Sequence, residues 1–129
     1  METMALLATA LLFGGMVLYS FGFAAFIFTA LPVEVAGPTI RRAFPHFYLF
    51  VIAASVVAAL PLAMVDPVAA IILATVALTT VPTRQILMPA INAATDAGQK
   101  RRFGILHTVS VVITLAHIVA VAVVLARFI

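Results

Sequence analysis

Four long apolar stretches, at residues 5–31, 47–65, 67–87 and 103–126, alternate with short segments that hold nearly all the charge. Each meets or approaches the ~20 residues that a membrane-crossing helix needs. The third includes Arg84, whose long side chain can snorkel to the interface. Almost no sequence connects the four, so residues 1–129 read as one domain. The fold class expected is an all-α integral membrane protein, a four-transmembrane-helix bundle. The fourth stretch breaks its own pattern: His107, Ser110, Thr114 and His117 recur at i, i+3, i+7 and i+10 among Val, Ile and Leu. At 100° per residue they fall within roughly 80° of one another, a polar stripe on one helix face. Polar groups in hydrocarbon are costly and usually face a bundle interior, where they often mark a site.

Punctuation along the chain refines this. Ala8, Gly15, Gly22 and Thr29 fall at heptad spacing in the first segment and predict a face that a neighbouring helix can approach closely. Gly37, Pro38 and Pro45 predict a bend between the first two spans, and Pro61 a kink near the end of the second. Asp66 followed by Pro67 reads as an N-cap with proline at N1, so the second and third spans form a tight hairpin. The third helix is expected to run past Arg84 towards Gly98, a C′ residue, although Pro82 and Pro89 obscure its course.

Composition agrees with the apolar pattern. Of 129 residues 66% are hydrophobic and 9% charged, against about 25% charged in an average soluble domain, which is too little to build a water-facing surface. Six of the seven basic residues lie in two places: Arg41 and Arg42, then Arg84, Lys100, Arg101 and Arg102. With four spans these segments share one side, and the positive-inside rule makes that side cytoplasmic and both termini external, in a bacterial-type cytoplasmic (inner) membrane. Arg127 is the exception. Lys100, Arg101 and Arg102 open the fourth helix, where the macrodipole disfavours cations. Contact with anionic lipid head groups accounts better for them. Basic residues scattered over short loops give no nucleic-acid-binding face. The N-terminus lacks a basic n-region and its apolar run exceeds an h-region, so the first span is expected to persist rather than act as a signal peptide. With no cysteine, thiolate metal sites, disulfides and cysteine nucleophiles are excluded.

Phe103-Gly-Ile-Leu-His107-Thr-Val-Ser110, preceded by Pro89-Ala-Ile-Asn92, resembles the bacterial relatives of human transmembrane protein 205. So do Ala36-Gly37-Pro38 and Phe44-Pro45-His46-Phe47-Tyr48. The resemblance spans nearly the whole chain and implies a four-helix membrane domain of unknown function. More distantly the chain is similar to small four-helix membrane proteins that handle haem or copper through histidines. Thr114 departs from the pattern, since relatives tend to carry an amide or another polar residue there. The resemblance therefore attaches to His107 more firmly than to His117.

Rise along the helix separates the candidates. His107 lies ~6 Å and His117 ~21 Å past Phe103, ~15 Å apart, too far to share one ion. Glu34, His46 and His107 can converge at one level, where two imidazoles and a carboxylate suit a divalent first-row metal and two imidazoles alone can ligate haem iron. Tyr19, Ser20, Ser55 and Ser110 lie at compatible depths, and Thr75 is the expected partner of His117. His107 is expected to face the interior within reach of Tyr19, Ser20 or Ser55. The plainer readings stand beside these. His107 can fix helix packing, His46 can be an aromatic-belt residue, Glu34 an ion partner of Arg41 or Arg42, and Ser110 and Thr114 can bond back to their own helix. No paired carboxylates, phosphate loop or Ser-His-Asp set is present, which argues against an enzyme. The function expected is a small accessory or binding protein whose polar seam holds a haem or metal. The alternatives are a carrier or pore, dimeric or another homo-oligomer, lined by His107, Ser110, Thr114 and His117 for a small solute or protons, and a purely structural subunit.

Overall fold

The computed structural model describes residues 1–129 and contains four long helices joined by minimal turns. They are α1 (Glu2–Ala30), α2 (Val33–Val65), α3 (Pro67–Asp96) and α4 (Lys100–Ala126), each long and apolar enough to cross a membrane. Sequential neighbours pack together, and α4 closes back on α1, giving an up-down-up-down ring. Only 23 of 129 residues are buried. Leu7, Leu11, Phe26, Leu60, Ile71 and Leu78 lie on the outside, as suits a surface solvated by lipid chains rather than water. The protein is a multi-pass, all-α membrane protein.

Turn chemistry sets the helix ends. Leu31 and Pro32 are extended (ψ 149° for both) and separate α1 from α2. The Asp66 carboxylate accepts the Ala69 N–H at 3.2 Å, with Pro67 as the first helical residue of α3, which is the predicted cap. Gly98 alone adopts positive φ, 68°. The Gln99 N–H donates to the Ala94 carbonyl and the Gly98 N–H to the Thr95 carbonyl, a Schellman closure.

Arginine–aspartate forks clamp both ends. Arg127 donates to Asp66 through Nε (2.6 Å) and Nη2 (2.9 Å). The guanidinium holds the Asp66 carboxyl below its ordinary pKa, chiefly through that hydrogen bond. The one basic residue on the otherwise acidic side is thereby neutralised by its neighbour. At the basic end Arg41 donates to Asp96 at 2.7 and 2.9 Å. Both pairs are bidentate, so they fix register as well as charge.

The chain does not leave the helix around Gly37 and Pro38; the break between the first two spans falls at Leu31 and Pro32. Helix α2 runs unbroken from Val33 to Val65 with Pro38, Pro45 and Pro61 inside it. Proline removes one ladder bond, and membrane helices tolerate it where neighbours attend to the backbone. The carbonyl that Pro45 leaves without its helical donor is that of Arg41; close by, Arg84 Nε donates to the Pro45 carbonyl at 3.2 Å and the Tyr19 hydroxyl to the Ala43 carbonyl at 2.8 Å, ties from α3 and α1 to this stretch of α2. Wide π-turns interrupt α1 at Leu18–Phe23 and α3 at Thr83–Leu87, with the Ala24 and Met88 N–H groups donating five residues back, to Tyr19 and Thr83.

The first wide turn also corrects the small-residue seam. Ala8 packs against the core, and Gly15 lies against Phe50 of α2. A Cβ on Gly15 would lie 2.6 Å from the Phe50 ring, whereas one on Gly22 would meet only Leu18 of its own helix. One extra residue in the turn rotates everything after it by about 100° relative to an ideal helix. Gly22 and Thr29 are consequently exposed, and Ile27 takes the inward position. Gly15→Leu should therefore destabilise the protein by roughly 1–3 kcal/mol through overpacking, while Gly22→Leu stays close to the parent. Equal unfolding midpoints for the two variants in the same detergent would show that Gly15 has no close neighbour.

Candidate functional site

Helix α4 is held mainly at one end. Its buried residues are Ser110, Val121 and Val124, and only the two valines join the main core, beside Ala5, Leu12, Leu62, Ala69 and Leu73. Helix α1 meets α4 through Glu2–Val17 and leaves it at the wide turn. From there to the basic end α4 has α3 on one flank and nothing on the other.

That asymmetry decides the fate of the polar stripe. His107 lies on the uncovered flank, exposed, its ring stacked on Phe103 with centroids 5.4 Å apart and planes at 11°. The inward orientation expected of it does not occur, because the part of α1 that would cover it has turned away. Ser110 is buried and donates to the His107 carbonyl at 2.7 Å, a local bond within the helix. Thr114 is half-buried. The neighbours expected around His107 are otherwise engaged or separate: Tyr19 donates to Ala43, while the enclosed Ser20 and Ser55 hydroxyls have no partner.

His46 and Glu34 are exposed as well. Phe47 and Tyr48 are the buried residues of their turn, and His46 stands about 100° round the helix from Phe47. It borders an aromatic cluster in which Tyr19 stacks on Phe47 at 5.0 Å and meets Phe44 edge-on at 5.8 Å. Glu34 occupies the first turn of α2, where a carboxylate complements the helix dipole. Glu34, His46 and His107 do not come together, and no three His, Asp or Glu side chains form a group able to hold a metal ion.

His117 is the histidine that the tertiary structure uses. It is half-buried, and its Nε2 lies 2.8 Å from Thr79 Oγ1. The partner is Thr79 rather than Thr75, one turn further towards the basic end. Thr75 donates to the Ile71 carbonyl (2.8 Å), Thr79 to that of Thr75 (2.7 Å) and Thr83 to that of Thr79 (2.9 Å). With its proton given to the Thr75 carbonyl, Thr79 accepts from His117, which then carries its own proton on Nε2. Sequence periodicity points to α4 alone. The second half of the site, the Thr75-Thr79-Thr83 ladder, was visible as three threonines at i, i+4 and i+8.

The ladder and His117 open into a groove of about 850 Å³ between α3 and α4, eleven of whose sixteen lining residues are hydrophobic. Ile72, Ile86 and Ala90 form one wall, and Leu106, Ile113 and Ala116 the other. A long apolar trough with few polar groups, its threonines bonded to backbone carbonyls of their own helix, suits a chain-like apolar molecule. A family model described as "Domain of unknown function (DUF4149)" matches residues 7–100. The chain belongs to the DUF4149 family. The match covers α1, α2 and α3 and ends where α4 begins, so His107 and His117 lie beyond it. No curated protein and no solved structure matches the chain.

The His117–Thr79 bond generates a measurable coupling. In a double-mutant cycle, His117→Ala and Thr79→Val should couple by about 0.5–1 kcal/mol, the usual range for interhelical hydrogen bonds in membranes. Thr75→Val should couple to His117→Ala negligibly. Unfolding in one detergent reads both cycles, and equal couplings would remove the assignment of Thr79.

Proposed function

We propose that this DUF4149 protein is a membrane-embedded binding protein whose α3–α4 groove takes a lipid-soluble, chain-like molecule. The groove is the observation that carries the reading. Its volume, about 850 Å³, falls within the roughly 300–1,000 Å³ typical of small-molecule sites. It runs from Leu106 to Ala120 on α4, ~21 Å at 1.5 Å per residue, more than the ~15 Å depth of one leaflet. The His117–Thr79 bond crosses it and leaves the wall effectively apolar. A haem or metal on His107, His46 and Glu34 draws no support from this arrangement, since the three stand apart and exposed. A conduit along the α4 stripe draws little, since His107 and His117 belong to different surroundings. With this reading goes a lineage among bacterial relatives of transmembrane protein 205, for which Phe103–Ser110 speaks.

A photoreactive lipid with a diazirine in its acyl chain tests the groove. Labelling should concentrate on Ala90, Leu106, Ile113 and Ala116 rather than on Leu7, Leu11 or Leu60, and Ala116→Trp should reduce it several-fold. Uniform labelling of all lipid-facing surfaces would overturn the reading.

The membrane placed around this bundle is a bacterial-type inner membrane with the basic end in the cytoplasm, as the clustering of Arg42, Arg84, Lys100, Arg101 and Arg102 at that end favours. The chain has no native cysteine, so single cysteines report cleanly. An impermeant thiol reagent should label Met64→Cys on intact cells and Thr95→Cys only after the membrane is opened. Labelling of both from the same side would refute the orientation.

A further inference from the structure

At its basic end the groove adjoins a second hollow. Leu106 lines both. The second hollow, about 630 Å³, is lined by Gln99, Lys100, Arg101, Arg102, Ile105 and Leu106. Leu106 thus stands between an apolar lining and a strongly cationic one within the first two turns of α4. The three cations are exposed, and none is in an ion pair; the structure's two pairs are Arg41–Asp96 and Arg127–Asp66. Asp96, the acidic residue nearest in sequence, is already held by both oxygens.

We infer that the occupant of the groove is an anionic phospholipid, its phosphate head on Lys100, Arg101 and Arg102 and one chain along the α3–α4 trough past Leu106, Ile113 and Ala116. This deepens the binding reading proposed above and rests on it. Charge complementarity selects the head group. Three uncompensated cations at the rim of an apolar trough attract a phosphate-bearing lipid with net negative charge and discriminate against a zwitterionic one, whose choline carries the opposite charge into the same place. Geometry selects a lipid over a free anion. The cationic hollow is exposed and holds no enclosed donor, so a bare phosphate gains little there, whereas a lipid adds the burial of its chain at roughly 25 cal/mol per Å² of apolar surface covered. The His117–Thr79 bond matters on this account because it keeps an imidazole proton from being stranded beneath a hydrocarbon chain.

The test is retention of lipid by the detergent-purified full chain, read by native mass spectrometry with phosphatidylglycerol and phosphatidylcholine of identical chains as probes. The chain should retain one phosphatidylglycerol and release phosphatidylcholine. Each basic residue near a membrane surface contributes roughly fivefold, so Lys100→Gln/Arg101→Gln/Arg102→Gln should weaken retention by about a hundredfold. Arg101→Lys/Arg102→Lys should keep it, which separates charge from a folding defect. Ala116→Trp should weaken it too, because the chain is displaced from the trough. Equal retention of the two lipids would overturn the head-group assignment, and groove labelling by a photoreactive phosphatidylcholine would then leave the binding reading intact. Loss in the triple variant without loss in Ala116→Trp would mean adsorption to a charged edge. Displacement of the lipid by inorganic phosphate would mean a free-anion site, and either result would overturn the proposal.

Discussion

Asp66 ties three helices together with one carboxylate. It is the turn between α2 and α3, it caps α3 through the Ala69 N–H, and it receives both arms of Arg127 beyond the end of α4. Directly beneath it Val121 and Val124 enter the core with Leu62 and Ala69. Helix α4 is therefore pinned at this end by charge and packing together, and the rest of its course follows from what its neighbours do. In hydrocarbon no hydrophobic force draws helices together, so a helix stays close only where shape and hydrogen bonds hold it. Away from Asp66 the holding falls to α3 alone, with the His117–Thr79 bond as its side-chain tie.

The groove lies on the flank where α4 stays attached, between it and α3. Helix α1 separates from α4 at the wide turn of residues 18–23, and α3 has its own wide turn at 83–87, on the wall of the groove. Such turns cost regular hydrogen bonding and tend to persist where they shape a site. In α3 the widened turn lies between Pro82 and Pro89, residues that each remove one rung of the ladder, so local chemistry there already favours a departure from the α-helix. Nearby, the Arg84 guanidinium bonds to the α2 backbone and to Gln85, so the only cation of the third apolar segment has partners rather than bare lipid around it.

The two histidines of α4 show how depth and flank decide a role. His107 lies near the basic end, where its imidazole stacks on Phe103 and the interface is within reach of a polar ring. His117 lies deeper, where an unpaired N–H would be costly, and it has a threonine opposite. Resemblance favoured the first. Packing favours the second.

The four spans, the Asp66-Pro67 helix start, the continuation of α3 to Gly98 and the grouping of basic residues at one end were all legible in the chain, because each depends on local chemistry: apolar length, a side-chain cap, a glycine at positive φ, the count of charges per loop. The departures arose where the phase of a helix mattered. A heptad of small residues assumes an unbroken 3.6-residue period, and the wide turn in α1 shifts it, so Gly15 packs and Gly22 does not. A stripe of four polar residues within 80° predicts a common face, but not which neighbour covers it at each level; α3 flanks α4 along its length, whereas α1 meets it only through Glu2–Val17. The pairing of Arg127 with Asp66, 61 residues apart, and the nearness of the apolar trough to Lys100, Arg101 and Arg102 depend on how helices distant in sequence diverge in space. Periodicity along one strand of text carries no information about that divergence, and only the tertiary structure decides it.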